Sequence, residues 1–574
     1  MALKRSKKAK KGLKTLRSQS SGSSVETSPL RPVHIDKLAP CMNACPQGTN
    51  IRKVLTTIGL AEKREIPQDD AFKEAFEILT EKNPFPSVCG RVCPHPCEDA
   101  CNRKEKEGSA SINSVERYVG DLGLEKGFEL TKLPDAKEQS EKIAVIGSGP
   151  AGLGCAYHLA KRGYKVTVFE AFSQAGGMLR YGIPAYRLPR DILDAEIDRI
   201  VKLGVELKCN VSVGKDILYE DVKKDFDAIF VGIGAHKGRP LRLDGEDAAN
   251  FMTGAEFLNL ANSGKEIDIG KKVVVIGGGD TAIDAARVAR RMGAEVSILY
   301  RRTRTEMPAI DEEIVGAEEE GVEIQLLAAP VGIKKDGEKA SAMVFQKCEL
   351  GEPDSSGRRR PVPIEGSEYD VAASFFISAV SQAPSFEGLE EVGNPKDWVK
   401  ADKFMQTEQD NVYGGGDVLE LGLVTVALYQ GRRAAETIHE NFRGQEHRDP
   451  QNPPPVIEAD KIKLGYYQEL LRQQGDQLAV DTRFANPDAE ISKGLTREQV
   501  IEESKRCMSC GSCFECGECW SYCQDQAIVK PLKAGEKYKF KLEFCNGCKK
   551  CAEQCPCGFI EMHMPGQAPT YDTV

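Results

Sequence analysis

Residues 143–170 read IAVIGSGPAGLGCAYHLAKRGYKVTVFE, and residues 273–302 read VVVIGGGDTAIDAARVARRMGAEVSILYRR. Each runs as an apolar strand, a glycine-rich turn, a helix and a second apolar strand, the pattern of a dinucleotide-binding βαβ unit. In the first, Gly147-Ser148-Gly149-Pro150-Ala151-Gly152 is a complete GxGxxG. The first glycine permits the tight turn, and the second lets a pyrophosphate approach the backbone. The third lets the helix pack on the strand, with the phosphates at the helix N-terminus. Glu170 ends the next strand, where a carboxylate accepts hydrogen bonds from ribose hydroxyls.

The second unit carries Gly277-Gly278-Gly279-Asp280-Thr281-Ala282, a GxGxxA variant, and its second strand ends in Tyr300-Arg301-Arg302. Guanidinium groups at that position suit a 2′-phosphate, which favours NADPH over NADH. The alternative is that Arg301 and Arg302 pair with the acidic run DEEIVGAEEE at 311–320. A later turn, Gly414-Gly415-Gly416-Asp417, is followed by Leu423-Val424-Thr425 and a helical pattern. It looks like the close of a flavin domain, with the Asp on the ribityl chain and a helix N-terminus toward the ring. Two such units suit a flavin and a nicotinamide.

At 574 residues the chain exceeds one hydrophobic core and divides into roughly three to five domains. No apolar run reaches the length of a membrane span, and no secretory signal opens the chain, so a cytoplasmic location is expected. Net charge is 78 − 87 = −9, with eight Lys/Arg and no acid in the first twenty residues. That leaves an acidic body, which argues against nucleic acid as the main partner. The basic extension, 1–34, reads as disordered and solvated.

Seventeen of the twenty cysteines lie in two blocks, 41–101 and 507–557, which favours cofactor ligation over disulfides. The C-terminal block holds Cys513-x2-Cys516-x2-Cys519-x3-Cys523 and Cys545-x2-Cys548-x2-Cys551-x3-Cys555-Pro556. In this two-cluster ferredoxin pattern the fourth cysteine of each run ligates the other cluster. One [4Fe–4S] cluster is therefore expected on Cys513, Cys516, Cys519 and Cys555, the other on Cys545, Cys548, Cys551 and Cys523. A single CxxC also suits zinc, but two interlocked runs point to iron–sulfur chemistry. The N-terminal block holds Cys41, Cys45, Cys89, Cys93, Cys97 and Cys101, enough thiolates for one complete set of four, with Glu116 as a further candidate ligand.

Together, CGRVCPHPCEDAC (89–101), GSGPAGL, GGMLRYGIPAYRLP (176–189), GGGDTA, YRR and the late GGGD resemble the glutamate synthase small-subunit family over about 40–445. That resemblance implies an N-terminal iron–sulfur domain joined to an FAD domain with an NAD(P)H domain inserted. It lays Gly177, Met178 and Leu179 along the FAD. It implies one N-terminal cluster on Cys45, Cys93, Cys97 and Glu116, and a second on Cys41, Cys101 and a CxxC that relatives carry just upstream. Here that upstream CxxC is missing. The unused pair Cys507-x2-Cys510, in EESKRCMSCG, resembles it and could join Cys41 and Cys101 by folding back or by reaching across a homodimer, with Cys89 as the rival ligand.

The expected fold is α/β, with two nested Rossmann-like domains (FAD and NAD(P)H), an N-terminal helical iron–sulfur domain and a C-terminal two-cluster ferredoxin domain. The expected bounds are 35–135 for the helical domain, 136–260 and 386–445 for the FAD domain, and 261–385 for the NAD(P)H domain. A linker or strap, 446–500, precedes the ferredoxin domain, 501–574. Cofactors are FAD, NADPH (or NADH), two C-terminal clusters and one or two N-terminal ones. The expected function is electron exchange between NAD(P)H and a redox protein partner. The domain order is similar to that of the flavoproteins serving dissimilatory sulfite reductase, which implies a role in sulfur metabolism. The alternatives are a glutamate-synthase-type or transhydrogenase-type electron-input subunit, and a redox sensor or scaffold. Hydride transfer needs no general acid or base, so no catalytic triad is expected.

Overall fold

A computed structural model describes residues 27–393 and 398–572. Two five-stranded parallel sheets carry the two glycine-rich turns. The first runs in the order Val412–Gly414, Ala228–Val231, Lys142–Ile146, Lys165–Phe169, Glu206–Lys208. Its central strands are continuous apolar runs because helices cover both faces. Helix Pro150–Ala160 follows the first turn and lies against the long helix Val424–Arg443. Glycine sets that approach: a Cβ at Gly431 would stand 2.1 Å from the Ala151 carbonyl oxygen.

The second sheet runs Glu323–Leu326, Glu295–Tyr300, Lys272–Ile276, Phe375–Ser378, Phe251–Thr253, again parallel. Its edge strand at 251 precedes the expected domain start at 261. A three-stranded antiparallel meander, Ala328–Asp336, Lys339–Pro353 and Arg359–Ala372, projects from this domain.

Helices Ile51–Gly59, Gln68–Thr80, Pro86–Val92 and Ile112–Glu125 build the N-terminal domain. Their apolar faces, including Val54, Phe72, Phe76 and Val115, belong to the same continuous core as Val145 and Leu153 of the first sheet and its helix. Glu196, fully buried, accepts hydrogen bonds at 3.0 Å from the N–H groups of Ser87 and Val88, capping Pro86–Val92 from the flavin domain. Burial is the main cause that pushes its carboxyl up to about 7.

The basic extension through residue 26 lies outside the described residues. Its end corrects the expectation of disorder over 1–34: Arg31–His34 is a strand paired antiparallel with Ile560–His563. Residues 446–500 act as a strap. From it Glu490 bonds Arg91 at 2.7 Å and Arg117 at 2.9 Å in the helical domain, while Arg483 reaches Glu319 at 2.9 Å in the second sheet domain. Among the described residues no helix is long and apolar enough to cross a membrane.

Candidate functional site

The first glycine-rich turn opens a cavity of about 380 Å³. Gly147, at φ +100°, turns the chain under Gly232: a Cβ there would stand 2.4 Å from the Gly232 oxygen. Gly152 faces inward, its Cβ position 1.9 Å from the Gly147 oxygen. Gly149 differs, since a Cβ there would meet no protein atom nearer than Gly177 Cα at 4.0 Å. The space beside Gly149 is therefore the room a pyrophosphate requires, at the N-terminus of the helix begun by Pro150 and Ala151. Glu170 is held by the N–H groups of Ser148 (3.0 Å) and Phe172 (2.8 Å) and by the Ser148 hydroxyl. Its remaining lone pairs are available to ribose hydroxyls. Gly177, Met178, Leu179, Gly416, Asp417 and Val424 line the same cavity. Burial raises the Asp417 carboxyl above the usual range, and the Gly422 N–H bond at 3.0 Å opposes that.

The second turn opens a larger cavity, about 780 Å³, lined by Gly277, Gly278, Gly279, Asp280 and Thr281. Gly279 repeats the logic of Gly149: the nearest atom to an added Cβ is Pro308 Cγ at 3.7 Å. The two arginines part ways. Arg302 is buried, with Nη2 donating to Asp354 Oδ2 at 2.6 Å and Nε to the Arg359 carbonyl at 2.7 Å. Arg301 is exposed on the cavity rim with Arg358, forms no side-chain hydrogen bond or ion pair among the described residues, and has the Cys348 thiol as its side-chain neighbour. Neither pairs with the acidic run: Glu313 and Glu320 hold Arg287 instead. Both cavities share Met178, Asp417 and Gly422.

A third cavity is lined by Cys45, Cys93, Cys97 and Glu116, the set implied for the first N-terminal cluster. Gln47, 1% exposed, also lines it, and both of its side-chain amide atoms lack partners. That is a donor and an acceptor aimed at space a cluster would fill. Burial pushes Glu116 up to about 7, opposed by the 2.8 Å bond from Asn83 Nδ2. Cys89 is fully buried, with Asn83 Oδ1 at 3.7 Å from its sulfur, and its ionisable neighbours are Glu116, Cys93 and Glu196. The first turn of helix Val424–Arg443 joins two cavities: Val424 faces the first, while Thr425 lines the cysteine cavity, its buried hydroxyl against the Cys93 sulfur.

In the C-terminal module, Cys513, Cys516, Cys519 and Cys555 line one cavity together with His34 and Tyr538. Cys551 has Cys523, Cys545 and Cys548 as its thiol neighbours. The Ala527 N–H points at Cys523 Sγ and the Phe559 N–H at Cys555 Sγ, each at 3.3 Å. The fourth cysteine of each run thus sits in the same local frame. Cys557, given no role by its spacing, is buried 3.8 Å from the Cys555 sulfur.

Comparison with known proteins agrees with this geometry. A family model described as pyridine nucleotide-disulphide oxidoreductase matches residues 141–431, and one described as dihydropyrimidine dehydrogenase domain II, 4Fe-4S cluster, matches residues 22–128. The chain belongs to the pyridine nucleotide-disulphide oxidoreductase family, within the glutamate synthase small chain-like iron–sulfur flavoproteins. It is an NAD(P)H-dependent FAD oxidoreductase whose N-terminal domain holds a 4Fe-4S cluster. It is 35% identical to NADPH-Fe(3+) oxidoreductase subunit beta of Geobacter sulfurreducens, over 83% of this chain and 76% of that relative. It is 38% identical to NADP(+)-dependent formate dehydrogenase subunit beta of Moorella thermoacetica, over 82% and 70%. With the glutamate synthase (NADPH) small chain of Escherichia coli it shares 36% identity, over 64% and 82%. These relatives favour the electron-input subunit over the sulfite reductase reading.

Proposed function

We propose that the chain is the electron-input subunit of a multi-subunit oxidoreductase, taking reducing equivalents from NADPH and delivering them to a protein partner through its C-terminal cysteine module. When bound, FAD would take up one hydride, two electrons at once, and pass them on singly, and each [4Fe–4S] cluster would carry one electron at a time. The residues supply position and environment. Gly149 and Gly279 leave room for the two pyrophosphates, and Glu170 orients the flavin nucleotide's ribose. Met178 and Asp417 stand where the two cavities meet, so the reacting rings are brought together there. Cys513, Cys516, Cys519 and Cys555 form one C-terminal ligand set, and Cys523, Cys545, Cys548 and Cys551 the other.

One observation carries this reading: the three cavities lie side by side. The nicotinamide-side and flavin-side cavities share residues, and a single helical turn separates the flavin-side cavity from the N-terminal cysteines at Val424 and Thr425. The beta subunits of the NADPH-Fe(3+) oxidoreductase and the formate dehydrogenase named above support the subunit role. The test is anaerobic capture of the tagged native chain, followed by NADPH-driven turnover of the captured complex. The proposal expects a co-purifying catalytic subunit whose reduction by NADPH requires this chain. Capture of a sulfite reductase would move the protein into sulfur metabolism, and turnover of a small substrate by the chain alone would contradict the subunit role.

A further inference from the structure

The N-terminal block leaves Cys41 and Cys101 outside the set of Cys45, Cys93, Cys97 and Glu116, and the ferredoxin pattern leaves Cys507 and Cys510 unused. The fold brings these four remainders together within one chain. Cys41 lies in the short helix Pro40–Ala44, and Cys101 directly precedes the 3-10 turn Asn102–Glu105. Helix Arg497–Lys505 delivers Cys507 and Cys510 to them. Its fit is tight: a Cβ on Gly59 would stand 2.8 Å from the Ser504 oxygen.

The delivered loop is fastened on both sides. Arg506 is fully buried and donates to the carbonyls of Ser109 (2.9 Å), Gly108 (2.6 Å) and Leu470 (2.9 Å), while Arg103 donates to the Arg506 carbonyl at 2.9 Å. Arg52 Nη1 bridges the carbonyls of Lys37 and Cys510, at 2.7 Å each, and the Lys37 N–H donates to Gly511 at 3.0 Å. Asn102 Nδ2 lies 3.7 Å from Cys510 Sγ. The thiol neighbours of Cys41 are Cys101, Cys507 and Cys510, and Arg52 is the cation beside them.

Backbone conformation gives a second, independent sign. Ser509 adopts φ +50°, and its N–H points at Cys507 Sγ at 3.5 Å. Glu515 does the same toward Cys513 (φ +63°, 3.5 Å), and His95 toward Cys93 (φ +43°, 3.4 Å). Left-handed backbone is disfavoured at a non-glycine residue. At Glu515 and His95 it aims a donor at a sulfur expected to hold iron, and Ser509 incurs the same cost for the same geometry. Such N–H···S contacts tune iron–sulfur centres.

We propose that Cys41, Cys101, Cys507 and Cys510 hold a further [4Fe–4S] cluster, one whose ligands come from both ends of a single chain, so that the C-terminal CxxC takes the place of an upstream one. No three such side chains among the described residues close on a single bare ion. A zinc ion, with Zn–S about 2.3 Å, would need its sulfurs within about 4 Å of one another, whereas a cubane sets its thiolates farther apart. This inference rests on the proposed electron-input role and deepens it. Cys41 is four residues from Cys45, Cys101 four from Cys97, and Cys510 three from Cys513. Those intervals limit the Cα separations to about 14, 14 and 11 Å. The new site therefore lies within reach of both the N-terminal cluster and the C-terminal module and could serve as a station linking them.

The test is iron and acid-labile sulfide per chain in the full-length protein. Wild type is expected to hold about sixteen irons, four per cubane. The double variant Cys507→Ser/Cys510→Ser should lose about a quarter of the iron and sulfide, as should Cys41→Ser/Cys101→Ser. The quadruple variant should lose no more than either double, and FAD content should be unchanged. Unchanged iron in both doubles, additive losses in the quadruple, or one zinc per chain in place of that iron would each overturn the site. If the Cys507/Cys510 change also releases FAD, the Cys41/Cys101 pair reads the same site from the other end. The iron arithmetic is independent of the functional reading, which fails instead if NADPH does not bleach the wild-type flavin.

Discussion

Replacing Arg301 with alanine should raise the KM for NADPH about tenfold and leave that for NADH unchanged. Both arginines of Tyr300-Arg301-Arg302 end the strand where a 2′-phosphate would sit, yet only one is free to meet it. Arg302 is buried and committed to Asp354 and the Arg359 carbonyl, at 2.6 and 2.7 Å. Arg301 stands exposed on the cavity rim beside Arg358, whose guanidinium donates to Ser356 Oγ at 3.0 Å. A hydrogen bond to a charged group contributes about 1.5–3 kcal/mol, and exposure puts Arg301 at the low end of that range, which corresponds to about tenfold. Removing Arg358 as well should take the effect toward a hundredfold (about 2.7 kcal/mol). Arg302→Ala should instead loosen the meander it anchors and weaken both coenzymes alike. The assay is stopped-flow reduction of the flavin by each coenzyme under anaerobic conditions. Equal losses for NADPH and NADH in Arg301→Ala, or NADPH-selective loss in Arg302→Ala alone, would refute the reasoning.

Gly431→Ala would drive a methyl to 2.1 Å from the Ala151 oxygen and 2.9 Å from the Cys155 nitrogen. Because backbone cannot yield as a side chain does, we expect a cost of about 1–3 kcal/mol and loss of FAD, read from the flavin absorbance of the purified variant. His34 packs between Phe540 and Phe559, and burial with Lys537 nearby pushes its imidazole down to about 4, against about 6.5 when free. Its folded pKa is the lower one, so docking of strand Arg31–His34 is intact at pH 7 and weakens as pH falls from 6.5 toward 4. Hydrogen exchange over residues 28–36 should show this, and His34→Phe should abolish it. Trp520, Tyr522 and Phe544 are exposed aromatic side chains beside Cys519, Cys523 and Cys545. Phe544→Asp should slow electron delivery to the captured partner while NADPH reduction of ferricyanide is unchanged.

The glycine turns and cysteine spacings were readable because their chemistry is local. Gly147, Gly149 and Gly152 stand at fixed spacing within one six-residue turn, and the interlocked runs at 513–523 and 545–555 carry their pairing rule in their spacing. What escaped was set by distant partners. Arg302 looked equivalent to Arg301 until the fold brought Asp354, 52 residues on, beside it. The segment 446–500 reads as a linker or strap, and its aperiodic QNPPP stretch does not show which domains Glu490 and Arg483 tie together. Strand Arg31–His34 is four residues long, and its partner lies at the far end of the chain. Phe251–Thr253 is a three-residue strand, too short for alternation to mark it. For Cys507 and Cys510 the sequence offered two routes, folding back or crossing a dimer, and only tertiary contacts with Arg52 and Asn102 distinguish them.

The central claim is that electrons entering as hydride at one end of this chain leave singly through iron at the other. Anaerobic titration of the purified protein with NADPH, followed by flavin absorbance and by electron paramagnetic resonance of the same samples, tests it most directly. Bleaching of the flavin should be accompanied by signals of reduced [4Fe–4S] clusters, with electrons spread over both as NADPH is added. A flavin that bleaches while every cluster stays oxidised, or a flavin that does not respond to NADPH at all, would contradict it.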